Sequence, residues 1–309
     1  MDTVGIIINA NAKKNRKMKK DLESLYREIG GQYVDVQLTS SLDQLSAVIR
    51  DFKKKGVSYL GVAGGDGSLH HAMTRAMEIY GEGNVPPLLI LKGGTMDNVS
   101  RSIFLKGKGP EILKRLISRL KRKEAISLQT RSTMKINDSY CFLFGTGLVT
   151  NFLNEVYGGR EKGLVRNLQV IFRAVKEIVS KPAGASIFDG IYGEFIVDGE
   201  KLDITYSSAI LSGTVEHIGM GFSPLSRALE NQNSYHAIIS GIPPTTFLKN
   251  LYKIKKGKAI CHPLNYDILL NRLLIKCPGP FQYTMDGDIY ESPGELEVVL
   301  GPQVNLVSV

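Results

Sequence analysis

Short apolar runs and amphipathic patterns alternate along the first 100 residues of the chain. The apolar runs, each predicted to form a β-strand, are Val4–Asn9, Tyr33–Thr39, Val57–Ala63 and Pro87–Leu91. The patterns between them have helical spacing and cover Lys14–Ile29, Leu42–Lys54 and Leu69–Tyr80. Such alternation predicts a Rossmann-like α/β domain whose mostly parallel sheet is covered by helices. Ligands bind such sheets at the carboxyl ends of the strands, so the loops that follow the strands are the segments to examine.

The pattern changes after about residue 124, where short strand-like segments follow one another closely. They are Glu124–Thr130, Ser132–Ile136, Tyr140–Leu148, Tyr192–Val197, Ile204–Leu211, Ala237–Ser240, Asp267–Leu270, Leu273–Lys276, Gln282–Met285 and Leu296–Leu300. This spacing predicts an antiparallel β-sandwich or barrel, interrupted by one helix over 164–179. We therefore expect two domains, an α/β domain over 1–127 and a β-rich domain over 128–300.

Composition adds a preference for anionic partners. The 309 residues include 39 Lys and Arg against 30 Asp and Glu, a formal net charge of +9. With 43% hydrophobic residues the chain is globular, which excludes a disordered or fibrous protein. The positive charge favours phosphate, a nucleotide, nucleic acid or an acidic membrane surface. Three scattered cysteines without metal-ligand spacing indicate neither a disulfide framework nor a metal site.

The chain shows no targeting or membrane-spanning pattern. No basic segment followed by an apolar stretch opens the sequence, and no apolar run approaches the ~18 residues that cross a bilayer. We therefore expect a cytoplasmic protein, and any contact with lipid would be peripheral.

A glycine-rich turn at the end of the third predicted strand is the strongest local signal for chemistry. The segment Gly64-Gly65-Asp66-Gly67-Ser68 leads directly into a predicted helix. Glycines there let the backbone approach a phosphate, and the amides and dipole of the helix favour an anion. Ser68 is expected to be the N-cap of that helix and to reach a phosphate with its hydroxyl. The alternative is a glycine turn that only reverses the chain.

Two further loops strengthen the case for phosphate binding. Lys92–Asn98 follows the next strand and contains Gly94 and Thr95, whereas Asn9–Ala12 follows the first strand. Parallel strands would bring these loops to one edge of the sheet, where backbone amides and polar side chains could hold a nucleotide. Neither the G-x-x-x-x-G-K-[ST] nor the G-x-G-x-x-G pattern occurs, so any phosphate site is of another kind.

These residues resemble the motifs of the diacylglycerol kinase catalytic family. That family includes bacterial diacylglycerol kinases and sphingosine kinases and is distantly related to NAD kinases and 6-phosphofructokinases. The Gly64–Ser68 segment is similar to its Gly-Gly-Asp-Gly-Thr signature, and Pro87–Arg101 to its Pro-x-Gly-Thr-x-Asn-Asp-x-x-Arg signature. Asn9 stands at the start of the family's Asn-Pro-x-x-Gly motif and Thr39 matches a nucleotide-contacting Thr. Met285–Asp288 resembles the family's Asp-Gly-Glu.

The resemblance implies ATP-dependent phosphorylation of a lipid hydroxyl, on diacylglycerol or a similar lipid, with Mg²⁺. It implies Asp288 as the general base, Asp286 as its catalytic neighbour and possible metal ligand, and Asp66 as a second possible metal ligand. It also implies that the strand at 301–309 returns to the ATP-binding domain and that 128–300 binds the lipid. The residues implied in nucleotide binding are Asn9, Thr39, Gly64, Gly65, Asp66, Gly67, Ser68, Gly94 and Thr95.

Two other functions stay open. An NAD kinase-type phosphotransferase would share the Gly-Gly-Asp-Gly turn. A non-catalytic nucleotide- or lipid-binding regulator is suggested by departures from the family pattern: His71 in place of a common Glu, the inverted Asp97-Asn98 pair, and Asp288 in place of Glu. Because Asp is one methylene shorter than Glu, its carboxylate reaches about 1.5 Å less far, and misplacement of about 1 Å can slow a reaction ~100-fold.

The basic residues form three clusters, in segments 13–20, 106–123 and 249–258. Such clusters are either solvated faces or surfaces that bind an anionic membrane, where each Lys or Arg contributes roughly 1 kcal/mol. No nucleic-acid-binding motif is present, so nucleic acid is not an expected partner. A location at the inner membrane surface would follow from the membrane alternative. The oligomeric state is not indicated, and a homodimer is compatible with the sequence.

Overall fold

The computed structural model describes residues 2–11, 19–93, 98–158, 169–170, 172–173, 176–177, 180 and 186–309. The chain divides into two compact units. Unit 1 comprises Met1–Arg131 and Pro302–Val309, and unit 2 comprises Ser132–Gly301. The protein is of mixed α/β type, with parallel strands in one region and separate antiparallel sheets elsewhere, as the sequence predicts.

Unit 1 contains a parallel sheet. Its strands are β1 (Val4–Asn9), β2 (Val34–Thr39), β3 (Tyr59–Gly64), β4 (Leu88–Lys92) and the end of the last strand of the chain, β18 (Glu295–Ser308). The order across the sheet is β18-β4-β3-β1-β2, with every pairing parallel. Their near-continuous apolar residues suit a sheet buried on both faces.

Helices connect these strands. They are α1 (Lys19–Gly30), α2 (Leu42–Lys55), α3 (Asp66–Tyr80), α4 (Asn98–Ser102) and α5 (Gly109–Lys121). The hydroxyl of Ser41 caps α2 by accepting a hydrogen bond from the Gln44 N–H at 3.2 Å. Helix α5 was not among the helices predicted from the sequence, although its buried face, which includes Ile112 and Leu116, has helical spacing.

The register of the parallel strands aligns their carboxyl ends. Asn9 pairs with Thr39, Ile8 with Ala63, and Gly64 with Lys92. The loops that follow β1, β2, β3 and β4 therefore leave the sheet at one edge, where doubly covered sheets bind their ligands.

Unit 2 is built mainly from antiparallel strands. In chain order they are the second half of β5 (Ser127–Ile136), β6 (Ser139–Cys141), β7 (Leu143–Gly147), β8 (Ile191–Tyr192), β9 (Glu194–Val197), β10 (Glu200–Lys201), β11 (Tyr206–Ser207), β12 (Ala209–Gly213), β13 (Tyr235–Ser240), β14 (Asn265–Leu270), β15 (Arg272–Lys276), β16 (Phe281–Met285), β17 (Asp288–Ser292) and the first half of β18. One sheet has the order β14-β13-β12-β7-β16-β17. In a second, β10, β9, β15 and β18 pair in succession and β5 pairs with β18 and β6. Strands β8 and β11 pair separately.

One hydrophobic core joins the two larger sheets of unit 2. Phe144, Tyr235 and Tyr283 come from one sheet, and Phe195 and Ile275 from the other. Each of these side chains is at most 3% exposed. The alternation of inward and outward residues along the strands supplies this core, as the sequence pattern indicated.

Helices also occur in unit 2, and here the prediction of a single helix is wrong. The structure has α6 (Leu148–Tyr157), α7 (Pro244–Lys249) and α8 (Leu251–Lys255). Most of the helix predicted over 164–179 lies outside the described residues. The strand predicted over Tyr140–Leu148 instead ends at Gly147, which has a φ of +64° and lies so close to Ser208 that an added Cβ would be 2.4 Å from its carbonyl oxygen. That backbone turn starts α6.

Candidate functional site

Asn9 connects the loop after β1 with the loop after β3. Its side-chain Nδ2 donates a hydrogen bond to the Ser68 Oγ at 2.9 Å, and its Oδ1 accepts one from the Asn11 N–H at 2.8 Å. The Asn11 Nδ2 in turn donates to the Ser40 carbonyl at 2.8 Å, directly after Thr39. Three of the loops at this edge of the sheet are therefore held together by side-chain amides.

Glycines bring the ends of β3 and β4 together. An added Cβ on Gly64 would lie 2.4 Å from the Ser68 Oγ and 2.5 Å from its Cβ, so the turn tolerates no side chain without displacing Ser68. The Gly93 N–H donates to the Gly64 carbonyl at 2.9 Å, and a Cβ on Gly93 would lie 3.4 Å from the Gly64 backbone. The close approach expected of these glycine-rich turns is thus present in the backbone.

Helix α3 begins immediately after this turn. Gly65 is the N-cap, with extended backbone (φ −99°, ψ −171°), and no side chain caps the helix. The prediction that Ser68 is the N-cap is wrong, because the helix starts at Asp66 and Ser68 lies in its first turn. The N–H groups of residues 66–68 lie in that first turn, where N–H groups have no intrahelical acceptor and the helix dipole favours an anion.

The Asp66 carboxylate faces the start of helix α4. Its Oδ2 accepts a hydrogen bond from the Asn98 N–H at 2.9 Å. The Asn98 side chain is buried, and its Oδ1 has no hydrogen-bond partner among the described residues. Sequence reasoning placed Asn98 in the second glycine-rich loop but not among the site residues. Its position three residues after the predicted Thr95 was the available signal.

The remaining nucleotide-binding predictions are distributed as follows. Thr39 ends β2, is 5% exposed, and its carbonyl accepts a hydrogen bond from the Ala10 N–H at 2.8 Å. Gly67 lies in the first turn of α3. Gly94 and Thr95 lie outside the described residues. The structure thus brings Asn9, Thr39 and the Gly64–Ser68 segment to the same edge of the unit 1 sheet.

In unit 2, Asp286 and Gly287 form the turn of the β16–β17 hairpin. Met285 pairs with Asp288, which leaves a two-residue loop. Both loop residues have positive φ, +49° at Asp286 and +96° at Gly287, the conformation of a type I′ turn. Asp288 is therefore the first residue of β17.

The Asp286 carboxylate binds backbone amides. Its Oδ1 accepts from the Leu143 N–H at 2.9 Å, and both of its oxygens lie 3.2 Å from the Phe142 nitrogen. The Asp286 N–H donates back to the Leu143 carbonyl at 3.0 Å. The side chain is 7% exposed, so these bonds fasten the hairpin turn to the start of β7 inside the unit. The pKa of the buried Cys141 thiol is raised first by its burial and second by the negative charge of Asp286.

Asp288 lies beside two tyrosines. Burial and then the charge of Asp288 raise the pKa of Tyr157, and the same two causes, in the same order, raise the pKa of Tyr290. The Tyr157 hydroxyl donates to the Gly287 carbonyl at 2.7 Å, one residue before Asp288. Asp288 itself is partly exposed. Sequence reasoning did not assign Tyr157 a role at this hairpin, because 130 residues separate it from Gly287.

Among the described residues, no group of three or more His, Cys, Asp or Glu side chains could enclose a metal ion. The helices that the structure describes are too short or too polar to cross a membrane. Asp66 and Asp286, the two predicted metal ligands, differ in surroundings: Asp66 lies beside the glycine-rich turn, whereas Asp286 lies against the amides of β7.

The sequence of the N-terminal segment has a family match. Residues 3–128 match the diacylglycerol kinase catalytic domain. The resemblance noted from the motifs is confirmed, and the matched segment includes Asn9, Thr39 and Gly64–Ser68. The diacylglycerol kinase match ends before Asp286 and Asp288.

Solved structures share the fold over the whole chain. Three of them are from Bacillus anthracis strain Sterne: one is described as a diacylglycerol kinase and two as inferred diacylglycerol kinases. Their TM-scores are 0.66, 0.70 and 0.71, at 14%, 15% and 16% identity, and each match covers 100% of this chain and 97% of the other. No curated protein matches the chain. The fold of diacylglycerol kinase-like proteins thus extends beyond the segment that matches in sequence.

Proposed function

We propose that the protein is an ATP-dependent lipid kinase that transfers the γ-phosphate of ATP to the hydroxyl of diacylglycerol or a similar lipid. The family match over residues 3–128 carries this proposal. In it, unit 1 is a Rossmann-like ATP-binding domain and unit 2 is a β-sandwich that binds the lipid. The joined loops at the carboxyl ends of β1 to β4 support the assignment of unit 1.

The nucleotide phosphates would bind at the glycine-rich turn. The absence of a Cβ at Gly64 makes space for the Ser68 side chain in the first turn of α3, and the amides of Asp66, Gly67 and Ser68 in that turn would bind the phosphate oxygens. The Ser68 hydroxyl, oriented by Asn9, adds a hydrogen bond. Phosphoryl transfer depends mostly on positioning and on stabilising negative charge that spreads over the phosphate, and backbone amides supply both.

The residues present also fit a Mg²⁺ ion bound with the nucleotide. Mg²⁺ in kinases is held by one or two carboxylates together with substrate phosphates, and it neutralises the charge on the transferred group. Asp66 suits this role because its carboxylate lies at the glycine-rich turn and is oriented by the Asn98 N–H. We assign Asp286 instead to positioning, because its oxygens lie against the amides of β7.

Asp288 would act as the general base. As the lipid oxygen forms its bond to the γ-phosphorus, the bond to ADP breaks and the hydroxyl proton passes to the Asp288 carboxylate. The preceding turn fixes this residue, because Asp286 is bound to the start of β7 and Gly287 to the Tyr157 hydroxyl. A carboxylate at the first residue of a strand, behind a doubly fastened turn, has little freedom to move.

The test measures transfer of labelled phosphate from ATP, with Mg²⁺, to diacylglycerol, a sphingoid base, a monoacylglycerol and NAD. Asp288→Asn should lower kcat about 10²- to 10⁴-fold, the usual contribution of a general base. Asp288→Glu keeps the carboxylate and should retain more activity than Asp288→Asn. The matched control is Glu291→Gln, which removes the same charge from an exposed position of the same strand and should leave kcat unchanged.

Each other result would overturn a part of the proposal. Labelled NAD with no labelled lipid would indicate an NAD kinase-type enzyme. ATP binding without any product would indicate a non-catalytic regulator. Equal loss of activity in Asp288→Asn and Glu291→Gln would remove Asp288 from the base role.

A further inference from the structure

A long segment of unit 2 lacks acidic residues. Between Glu230 and Asp267, residues 231–266 contain five lysines and neither Asp nor Glu. In the whole chain acidic residues are 30 of 309, so a stretch of this length would ordinarily hold several. The lysines are concentrated in and after helices α7 and α8, at positions 249, 253, 255, 256 and 258.

These lysines are exposed and are not engaged by carboxylates. All five are exposed, and none forms an ion pair with another described residue. Other described lysines do form ion pairs: Lys55 pairs with Asp35 at 2.7 Å, and Lys201 pairs with Glu194 at 2.5 Å. The five positive charges of the α7–α8 segment therefore have no carboxylate partner among the described residues, and they are called uncompensated here in that sense.

The same segment of the chain also exposes apolar groups. Tyr252 in α8 is 68% exposed, and Leu264, six residues after Lys258, is 40% exposed. Pro263 is exposed as well. Exposed tyrosine beside lysine is the composition of surfaces that lie at the boundary between lipid headgroups and water.

The segment is fastened to the rest of unit 2. Phe247 in α7 packs edge-on against Phe188, with ring centroids 5.1 Å apart. At the end of α8, the Gly257 carbonyl accepts a hydrogen bond from the Ser226 hydroxyl at 2.8 Å, and the Ser223 N–H donates to the Lys255 carbonyl at 3.1 Å. The lysines thus project from a fixed support, so little ordering free energy is lost when the surface binds.

We propose that residues 249–264, here called the lysine face, dock unit 2 on an anionic lipid bilayer. The charge complementarity between five uncompensated lysines and a negative leaflet is the main reason, and Tyr252 and Leu264 provide the apolar contact. Nucleic acid is the less suitable polyanion, because the cations include no Arg, whose planar fork matches individual phosphates. This inference builds on the proposed lipid-kinase function, which gives the docking its use.

The first experiment measures sedimentation of the full chain with phosphatidylcholine vesicles, with and without phosphatidylglycerol. Lys253→Gln, Lys255→Gln and Lys256→Gln are combined in one variant. Since each lysine near an anionic surface strengthens binding about fivefold, the partition coefficient on phosphatidylglycerol vesicles should fall about 100-fold. Binding of the unaltered chain should also weaken as salt is raised.

The matched control removes three charges from the second basic cluster of the sequence. Lys106, Lys108 and Lys114 are exposed residues of unit 1, and their combined change to Gln should lower the partition coefficient less than about fivefold, the contribution of one lysine. Equal losses in the two variants would show a general charge effect and overturn the lysine face. Tighter binding of a single-stranded RNA than of phosphatidylglycerol vesicles would overturn the choice of lipid.

A second experiment reports contact at the lysine face itself. Cys261 is exposed within it, whereas Cys141 is buried and Cys277 is partly buried with a pKa raised by burial. In a Cys277→Ser background, a polarity-sensitive fluorophore on Cys261 should shift to the blue with phosphatidylglycerol vesicles and not with phosphatidylcholine alone. Sedimentation without this shift would place the contact elsewhere and overturn the proposal.

These readouts need no ATP and no lipid phosphorylation, so they separate docking from catalysis. Vesicle binding lost in the lysine variant, with kinase activity on detergent-dispersed lipid retained, supports the lysine face. A chain with kinase activity that never binds anionic vesicles would overturn docking and leave the proposed function standing.

Discussion

Asp286 and Asp198 occupy the same position in two hairpins of unit 2. Asp198 has a φ of +48° and precedes Gly199, and its Oδ1 accepts from the N–H groups of Asn271 and Arg272 at 3.0 Å and 2.8 Å. Its own N–H donates to the Arg272 carbonyl, the pattern that Asp286 makes at the start of β7. An Asp-Gly turn whose carboxylate accepts hydrogen bonds from two consecutive backbone amides therefore occurs twice in this unit. Only the turn at Asp286 precedes a proposed catalytic residue, Asp288.

Burial distinguishes the two positions and sets the first prediction. Asp198 is exposed and Asp286 is 7% exposed, so water can replace the lost carboxylate only at Asp198. Asp286→Ala should lower the free energy of unfolding by about 2–4 kcal/mol, since it leaves buried amides unpaired and places Ala at positive φ. Asp198→Ala should cost about 1–2 kcal/mol, chiefly for the positive φ. Urea denaturation followed by circular dichroism measures both, and equal losses would contradict the anchoring role of Asp286.

At this scale the sequence identified residue types better than residue roles. The motif around Asp288 could be recognised in the chain, but the partner of the Asp286 carboxylate could not, because the Leu143 N–H is 143 positions away. A separation of 130 residues likewise prevented the sequence from showing the hydrogen bond from the Tyr157 hydroxyl to the Gly287 carbonyl. Ser68 was misplaced as an N-cap because the sequence does not show that α3 already starts at Asp66, two residues earlier.

Among the elements, the parallel strands of unit 1 were the most predictable. The run Val4–Asn9 coincides with β1, because its first five residues are all buried and lie between polar residues. Helix α6 was missed for the opposite reason: its apolar residues continue the pattern of β7, and only the positive φ at Gly147 ends the strand. Short strands at hairpins, such as β17, were missed because polar residues make up much of them.

The turn between β3 and α3 carries the second prediction. Gly64→Ala would place a Cβ 2.4 Å from the Ser68 Oγ, so the turn must open and the first-turn amides of α3 must move. We expect a loss of about 1–3 kcal/mol in stability, the usual cost of overpacking, and at least a tenfold weaker ATP affinity by titration calorimetry. Gly279→Ala is the control, since a Cβ there meets nothing within 4 Å. A smaller loss of stability when Gly64→Ala is combined with Ser68→Gly would confirm the steric cause, and unchanged ATP affinity in Gly64→Ala would remove this turn from the ATP site.

Across the whole molecule, the chain enters unit 2 once and returns. The crossings fall at 131–132 and 301–302, so the last eight residues complete unit 1. Leu306 pairs in parallel with Leu88, and the side chains of Leu306 and Val307 are fully buried. The parallel sheet is therefore finished by residues that are synthesised after all of unit 2.

This arrangement makes the C-terminal strand a selective test of the division into units. Leu306→Ala should destabilise unit 1 by about 2–5 kcal/mol, as deletion of a buried leucine usually does. In native-state hydrogen exchange, amides of β1, β3 and β4 should then exchange faster, whereas those of β12 and β13 keep their protection.

Ile239→Ala, in the buried core of unit 2, is the converse control and should affect β12 and β13 alone. ATP should slow exchange in unit 1 of the Leu306→Ala variant, because ligand binding to the folded state stabilises it. Equal acceleration in both units after either substitution would show that the chain unfolds as one cooperative body.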